Sequence, residues 1–230
     1  MNRFNYIVII PARGGSKSIK FKNTQIFNGV PLIFFAVKKF KKLKLNLDVI
    51  VTSDSDEILD FASKAGAICI KRPDDLSGDN ATSESAITHA IKAYSEKNNE
   101  FNSIIFHQCT SPLISENSIL KSISTYEISS DNTVFSVIEE NNPIWSFNSE
   151  LNKYEILNNK EMIRGPRQNR KPQLLETGGI YIFNRKKFEI SGNRFNGNPV
   201  PVVIPKKEGV DIDNPDDLEL ANKLNKIKNK

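Results

Sequence analysis

Two aspartates two positions apart, Asp211 and Asp213 in "GVDIDNPDDL", could hold a hard cation. On an extended backbone, side chains two apart project to one face. A pair of carboxylates on one face suits Mg²⁺, which takes oxygen ligands and shares them with substrate phosphates. Just beyond, Asn214 can cap a helix, with Pro215 at its first position and Asp216 and Asp217 near the positive end of its dipole. Capping accounts for Asn214, Asp216 and Asp217 but gives Asp211 no duty.

A second chemical stretch lies near the N-terminus. An apolar run ends at Pro11, and Arg13, Gly14, Gly15, Ser16, Lys17, Lys20, Lys22 and Asn23 follow within twelve positions. Glycines let backbone N–H groups turn inward into an anion-binding concavity, and the cations add charge. The spacing is neither a P-loop nor a dinucleotide fingerprint. The plain alternative is a solvated basic turn, but a basic turn directly after a buried strand suits a phosphate chain.

Two further stretches are polar at strand or helix ends. In "KRPDDLSGDNATSESAITHA", residues 71–90, Ser83 or a near neighbour can cap a helix, and Arg72 could reach a phosphate. In "HQCTSPL", residues 107–113, Gln108, Thr110 and Ser111 can hydrogen-bond a ligand. A capped helix and a turn before Pro112 explain these equally well. His107 is flanked by apolar residues and receives no role.

The elements that must position these residues alternate. Residues 4–10, 47–54, 67–70, 103–109 and 132–140 read as strands, the first as a fully buried run. Helical spacing covers 31–43, 56–65, 83–97 and 115–126. The pattern predicts an α/β protein with a mostly parallel, doubly wound sheet, whose ligands bind at the carboxyl ends of the strands. Each polar stretch up to residue 113 follows such an end. After residue 140 the rhythm breaks into β-like segments. One domain over 1–230 is expected, with an inserted β-rich arm at about 140–175.

The bulk numbers agree. The chain has 230 residues, 38% of them hydrophobic, and a formal net charge of +5. It can bury a core and lacks the composition of a disordered chain. No run reaches transmembrane length and no signal-peptide pattern opens the chain, so a cytoplasmic protein is expected, with no membrane partner. Lys38, Lys39, Lys41, Lys42 and Lys44, and the lysines after residue 222, read as solvated faces. The tail lacks the interleaved aromatics of a nucleic-acid patch and the chain carries no motif of a DNA- or RNA-reading module, so no nucleic-acid partner is expected. Cys69 and Cys109 are the only cysteines and read as two buried, reduced thiols. Two Cys and two His at these spacings make no zinc site.

Taken together, "IPARGGSK…KN", "RPDDLSGDNAT", "QCTSPL", "RGPRQ", "GGIYIF" and "VDIDNPDDL" resemble the acylneuraminate cytidylyltransferases in order and spacing. These are the CMP-sialic acid synthetases and their relatives for legionaminic and pseudaminic acids, and the resemblance covers nearly the whole chain. It implies a Rossmann-like nucleotidyltransferase fold and an enzyme. The anomeric hydroxyl of a nonulosonic 2-keto sugar acid would attack the α-phosphate of CTP, with Mg²⁺ required, giving the CMP-sugar and pyrophosphate. By the same resemblance Arg13, Ser16, Lys22 and Asn23 hold the triphosphate and Arg72, Ala81 and Ser83 contact the nucleotide; the loop's own composition adds Gly14 to the nucleotide site and gives Arg13 and Lys22 the catalytic charge. Gln108 and Arg167 contact the sugar acid by the same resemblance, while the spacing of Asp211 and Asp213 makes them the expected holders of the metal. A homodimer is implied, the arm covering the partner's site.

The chain departs from the family pattern twice, at Thr177-Gly178 where many sialic acid enzymes have Asn-Gly, and at Trp145 where some bacterial members have lysine. Both positions lie near the sugar pocket by analogy, which leaves the sugar's identity open. A nucleotidyltransferase for another sugar or nucleoside triphosphate, or a non-catalytic nucleotide or polyanion binder, would use the same basic face.

Overall fold

A computed structural model describes residues 4–15, 18–45, 47–78, 81–97, 100–129, 132–157 and 173–228. The N-terminal half follows the expected alternation. Strand β1 (Tyr6–Pro11) is followed by a small hairpin of β2 (Ile26–Phe27) and β3 (Val30–Pro31) and by helix α1 (Leu32–Lys42). Then come β4 (Asp48–Ser53), α2 (Asp56–Lys64), β5 (Ile68–Lys71), α3 (Ser83–Ser95), β6 (Ser103–His107) and α4 (Glu116–Ile128). The C-terminal half holds β7 (Val134–Glu140), β8 (Trp145–Asn148), β9 (Lys153–Ile156), β10 (Gln173–Asn184), α5 (Arg185–Ser191), β11 (Val200–Val203) and α6 (Pro215–Lys228).

The helices begin where side chains replace missing intrahelical partners. Ser55, Thr82, Ser115 and Asn184 each accept a first-turn backbone N–H of α2, α3, α4 and α5. The cap of α3 is thus Thr82, with Ser83 its first helical residue. Helix α2 runs out at Gly66, whose φ of 97° suits glycine.

Seven strands form one sheet in the order β11-β7-β10-β6-β1-β4-β5. Strand β1 pairs in parallel with β4 and β6, β4 with β5, and β7 with β11. Strand β10 alone runs against its neighbours β6 and β7. The sheet is therefore mostly parallel, with one reversal.

Strand pleat divides the core in two. Val8 and Ile10 face a cluster with Ala36 and Phe40 of α1, Ile58 of α2 and Tyr126 of α4. Ile7 and Ile9 face the opposite way, onto Ile87 and Ile91 of α3 and Phe188 of α5. Helices thus cover both faces, as expected of a doubly wound sheet. A third cluster joins Ile19, Phe27, Leu32, Ile212 and Ala221. It ties the basic loop after β1 to the "GVDID" segment before α6, and so brings the two stretches of chemical interest together.

Two sequence expectations fail here. Cys69 is exposed, because β5 is an edge strand and presents its side chain outside the core. Lys39 is buried rather than solvated, its ammonium donating to the Pro112 carbonyl at 2.8 Å. Within the stretch expected to form an arm, β8 and β9 pair as a separate two-stranded sheet. Residues 158–172 lie outside the described residues.

Candidate active site

Four neighbouring parallel strands end on one edge of the sheet. Arg13 follows β1, Asp54 follows β4, Arg72 follows β5 and Gln108 follows β6. Between them opens a cleft of about 300 Å³. Arg13, Lys22, Asn23, Arg72, Ala81, Ser83 and Gln108 all line it, with Pro11, Leu76, Ala86 and Phe106 adding apolar wall. Seven of the residues expected at the site, drawn from three separate stretches, thus converge.

The turn after β1 is braced from two sides. Gly14 N–H donates to Asp54 Oδ1 at 2.9 Å, and the Arg13 carbonyl accepts from Asn23 Nδ2 at 2.8 Å. Gly14 therefore serves as a backbone tether outside the cleft wall. A Cβ there would stand 3.0 Å from Ser55 Cβ. The Arg13 guanidinium reaches across to the Gly78 carbonyl at 3.2 Å, so it closes toward the loop that precedes α3. Ser16 lies outside the described residues.

Arg72 is 5% exposed. Its Nε donates to Ser77 Oγ at 2.9 Å, and its Nη2 lies 3.9 Å from Asp54 Oδ1. Burial is the main cause lowering its pKa, opposed by Asp54 and aided by Arg13. A guanidinium stays charged through such a shift, so Asp54 is the counter-ion that makes this burial tolerable. Asp54 was not assigned to the site from sequence. The available signal was a carboxylate directly after the second buried strand.

Lys22 and the two aspartates meet at the lip of the cleft. Lys22 Nζ is 2.9 Å from Asp213 Oδ1. Asp211 is partly buried and accepts from Ser111 Oγ at 3.4 Å. Burial is the largest cause raising the Asp211 pKa. Asp213 also raises it, while Thr110, Lys22 and Ser111 pull it down. Asp211 is partly buried, Ile212 buried and Asp213 exposed, in a segment that forms no strand and bends at Asp213. Among the described residues no group of three or more His, Cys, Asp or Glu side chains could hold a metal ion by itself. A cation here would therefore complete its shell with water and ligand oxygens, the habit of Mg²⁺.

Gln108 faces Gly178, where a Cβ would come within 3.7 Å of its amide nitrogen at a φ of 71°. Thr177 is turned away from this contact: it is buried and bonded to Ser136, Oγ to Oγ at 2.6 Å, in a bulge of β10. Trp145 lies half-exposed on β8. Arg167 lies outside the described residues. His107 is fully buried, its Nδ1 2.7 Å from the Gly179 carbonyl, and burial lowers its pKa to about 3. It stays neutral at working pH and out of the cleft, in keeping with having no assigned role.

The fold is that of nucleotidyltransferases. A solved CMP:2-keto-3-deoxy-manno-octonic acid synthetase complexed with CTP superposes with a TM-score of 0.68 at 14% identity, over 97% of this chain and 99% of that one. A 4-diphosphocytidyl-2C-methyl-D-erythritol synthase from Anaerococcus prevotii gives 0.67 at 13% identity, over 96% of each. The chain belongs to the cytidylyltransferase family, whose model matches residues 7–226, and is a CTP-dependent nucleotidyltransferase.

Among its relatives, the N-acylneuraminate cytidylyltransferase of Escherichia coli is 28% identical over 230 residues, 99% of this chain. The chain spans only 54% of that enzyme's length. The pseudaminic acid cytidylyltransferase of Campylobacter jejuni is 27% identical and covered to 96% on both sides. The CMP-N,N'-diacetyllegionaminic acid synthase of Legionella pneumophila is 28% identical, with 95% of each covered. No helix among the described residues is long and apolar enough to cross a membrane.

Proposed function

We propose that the protein activates a nonulosonic 2-keto sugar acid with CTP. The observation that carries this is the convergence of Arg13, Lys22, Asn23, Arg72, Ala81, Ser83 and Gln108 on one cleft, in a chain whose relatives are named for such acids. The anomeric hydroxyl oxygen bonds to the α-phosphorus of CTP while the α–β P–O bond breaks. The electron pair leaves with pyrophosphate, and the hydroxyl proton passes to solvent.

Little covalent chemistry falls to the protein in such a transfer, so catalysis is positioning and charge stabilisation. Arg13 and Lys22 stand at the mouth of the cleft to neutralise the triphosphate. Arg72 holds Ser77, and with it the loop over the nucleotide, while the N-terminus of α3 turns its positive end toward the cleft at Ser83. Gln108, with Gly178 behind it, borders the sugar.

Asp211 and Asp213 would hold Mg²⁺. Two carboxylates that repel each other, Asp213 raising the Asp211 carboxyl, fit a cation of this kind, which would relieve the repulsion as Lys22 swings from Asp213 to phosphate. When bound, the metal supplies Lewis-acid charge at the reacting phosphate.

Arg167 is assigned to the sugar carboxylate, which its planar fork can bind bidentately. Arg167→Lys should raise the KM for the sugar acid more than that for CTP. Equal effects on both would remove Arg167 from this role.

The β8–β9 hairpin exposes Trp145, Phe147 and Tyr154, which supports a homodimer built on the arm. Sedimentation at micromolar concentration should report a dimer, and a monomer there would discard the arm's role. Free thiols at Cys69 and Cys109 suit a reducing cytosol, which cell fractionation would check.

The functional reading is tested with CTP, Mg²⁺ and a panel of sialic, legionaminic and pseudaminic acids. Pyrophosphate release with one of them supports it. Release with none, alongside turnover of a sugar 1-phosphate, would replace it.

A further inference from the structure

Cys109 lies in the turn after β6, 1% exposed, with its sulfur 3.0 Å from Asn23 Oδ1. Asn23 is itself 8% exposed, and its Nδ2 donates to the Arg13 carbonyl at 2.8 Å. The two contacts fix the amide's orientation without ambiguity. A carbonyl accepts only, so Nδ2 must face Arg13, and Oδ1 must then face a donor, which is the Cys109 S–H. Burial pushes the thiol pKa up to about 12, Lys22 opposing and Asp211 adding, so the proton stays on sulfur at working pH.

The chain thereby links β6 to the turn after β1. From the β4 side the same turn is held by Asp54 through Gly14 N–H. Asp54 and the Cys109–Asn23 pair grip the two ends of one peptide unit, the N–H and the carbonyl of the Arg13–Gly14 amide, and together they fix its plane and so where Arg13 leaves the backbone. This also revises the role expected of Asn23. Its Oδ1 and one amide hydrogen are spent inside the protein, leaving at most one hydrogen for a phosphate.

We infer that Cys109 is a positioning residue for CTP: through Asn23 it holds the Arg13–Gly14 turn in register with the triphosphate. The inference rests on the reading that this cleft binds CTP. Removing the donor leaves Asn23 Oδ1 buried and unsatisfied, and the amide is then free to turn away from Arg13.

The experiment is calorimetric titration of CTP with Mg²⁺ into wild type, Cys109→Val, Cys109→Ala and Cys109→Ser, beside thermal melts and steady-state kinetics. Valine keeps bulk without a donor, alanine drops both, and serine keeps a donor. Valine and alanine should each weaken CTP binding about tenfold, with the KM for the sugar acid little changed. Serine should stay within about threefold of wild type, since its hydroxyl donates at least as well. If valine does not fold, alanine carries the comparison. The inference is overturned if the donor-free variants bind CTP like wild type. It is also overturned if serine loses as much as they do, or if both substrates suffer alike, since packing alone would then be the cause. Failure of the wild type to bind CTP would instead overturn the functional reading beneath it.

Discussion

Lys22→Ala should give a folded protein whose turnover falls by about 10²–10³-fold, the usual loss when one charge-stabilising contact is removed. Lys22 lines the cleft and its side chain is 18% exposed, so its charge acts in a partly desolvated place. In the ligand-free chain its ammonium pairs with Asp213, which is 70% exposed. A pair with its carboxylate largely in water contributes only about 0–1 kcal/mol, so the melt should barely move. A triphosphate with Mg²⁺ on the aspartates would draw Lys22 off Asp213 and onto phosphate oxygens. The variant loses that contact when charge develops on the leaving pyrophosphate. Near wild-type turnover would take the loop out of the mechanism.

Asp211→Asn and Asp213→Asn should each cut turnover by about 10²-fold or more, because the charge stabilisation lost with a catalytic metal is several kcal/mol. Both should also weaken the dependence of the rate on Mg²⁺. Their effects on stability should differ. Burial chiefly, then Asp213, holds the Asp211 carboxyl above its ordinary value. A carboxyl raised in the folded state contributes its stability below the unfolded pKa, about 4. That contribution is lost as pH rises through the folded value. At neutral pH the ionised Asp211 therefore opposes folding of the metal-free protein, and asparagine removes that cost. Asp211→Asn should melt at or above wild type at pH 7, and the difference should vanish in acid. Asp213→Asn, at an exposed ion pair, should melt like wild type. Normal turnover of both at limiting Mg²⁺ would move the metal elsewhere.

Much of this arrangement is readable from sequence because the site hangs on local features. β1, β4 and β6 are apolar runs too continuous for anything but buried strands, and each is followed by polar residues. Once the sheet is parallel, Arg13, Arg72 and Gln108 must share an edge. The aspartate pair stands out in the sequence because the side-chain cap of α6 is Asn214, which accepts from Asp217 N–H at 3.0 Å, so neither the Asp211 nor the Asp213 carboxylate is used as the cap.

Other features have no local signature. The reversal at β10 depends on which strands it meets, and nothing in "GGIYIF" says that both neighbours run the other way. The β2–β3 hairpin has two residues per strand, below the length at which alternation can be seen. Thr82 and Ser83 are adjacent hydroxyls, and only the start of α3 decides which one caps. Cys69 sits in an apolar run, yet its exposure follows from β5 being at the edge. The grips on the turn after β1, from Asp54 and from Cys109 through Asn23, span 40 and 86 residues between donor and acceptor. They are products of the packed fold and become visible only in it.

If the proposal holds, this cleft joins a cytidylyl group to a nonulosonic acid. The proposal is tested most directly by following pyrophosphate release and the coupled product together, with CTP, ATP, GTP or UTP supplied in turn beside a mixture of sialic, legionaminic and pseudaminic acids and Mg²⁺. Release with CTP should exceed that with the other nucleotides, one CMP-sugar should form per pyrophosphate, and neither product should appear without acid or metal. Equal release with all four nucleotides, or pyrophosphate from CTP without a CMP-sugar, would contradict the proposal.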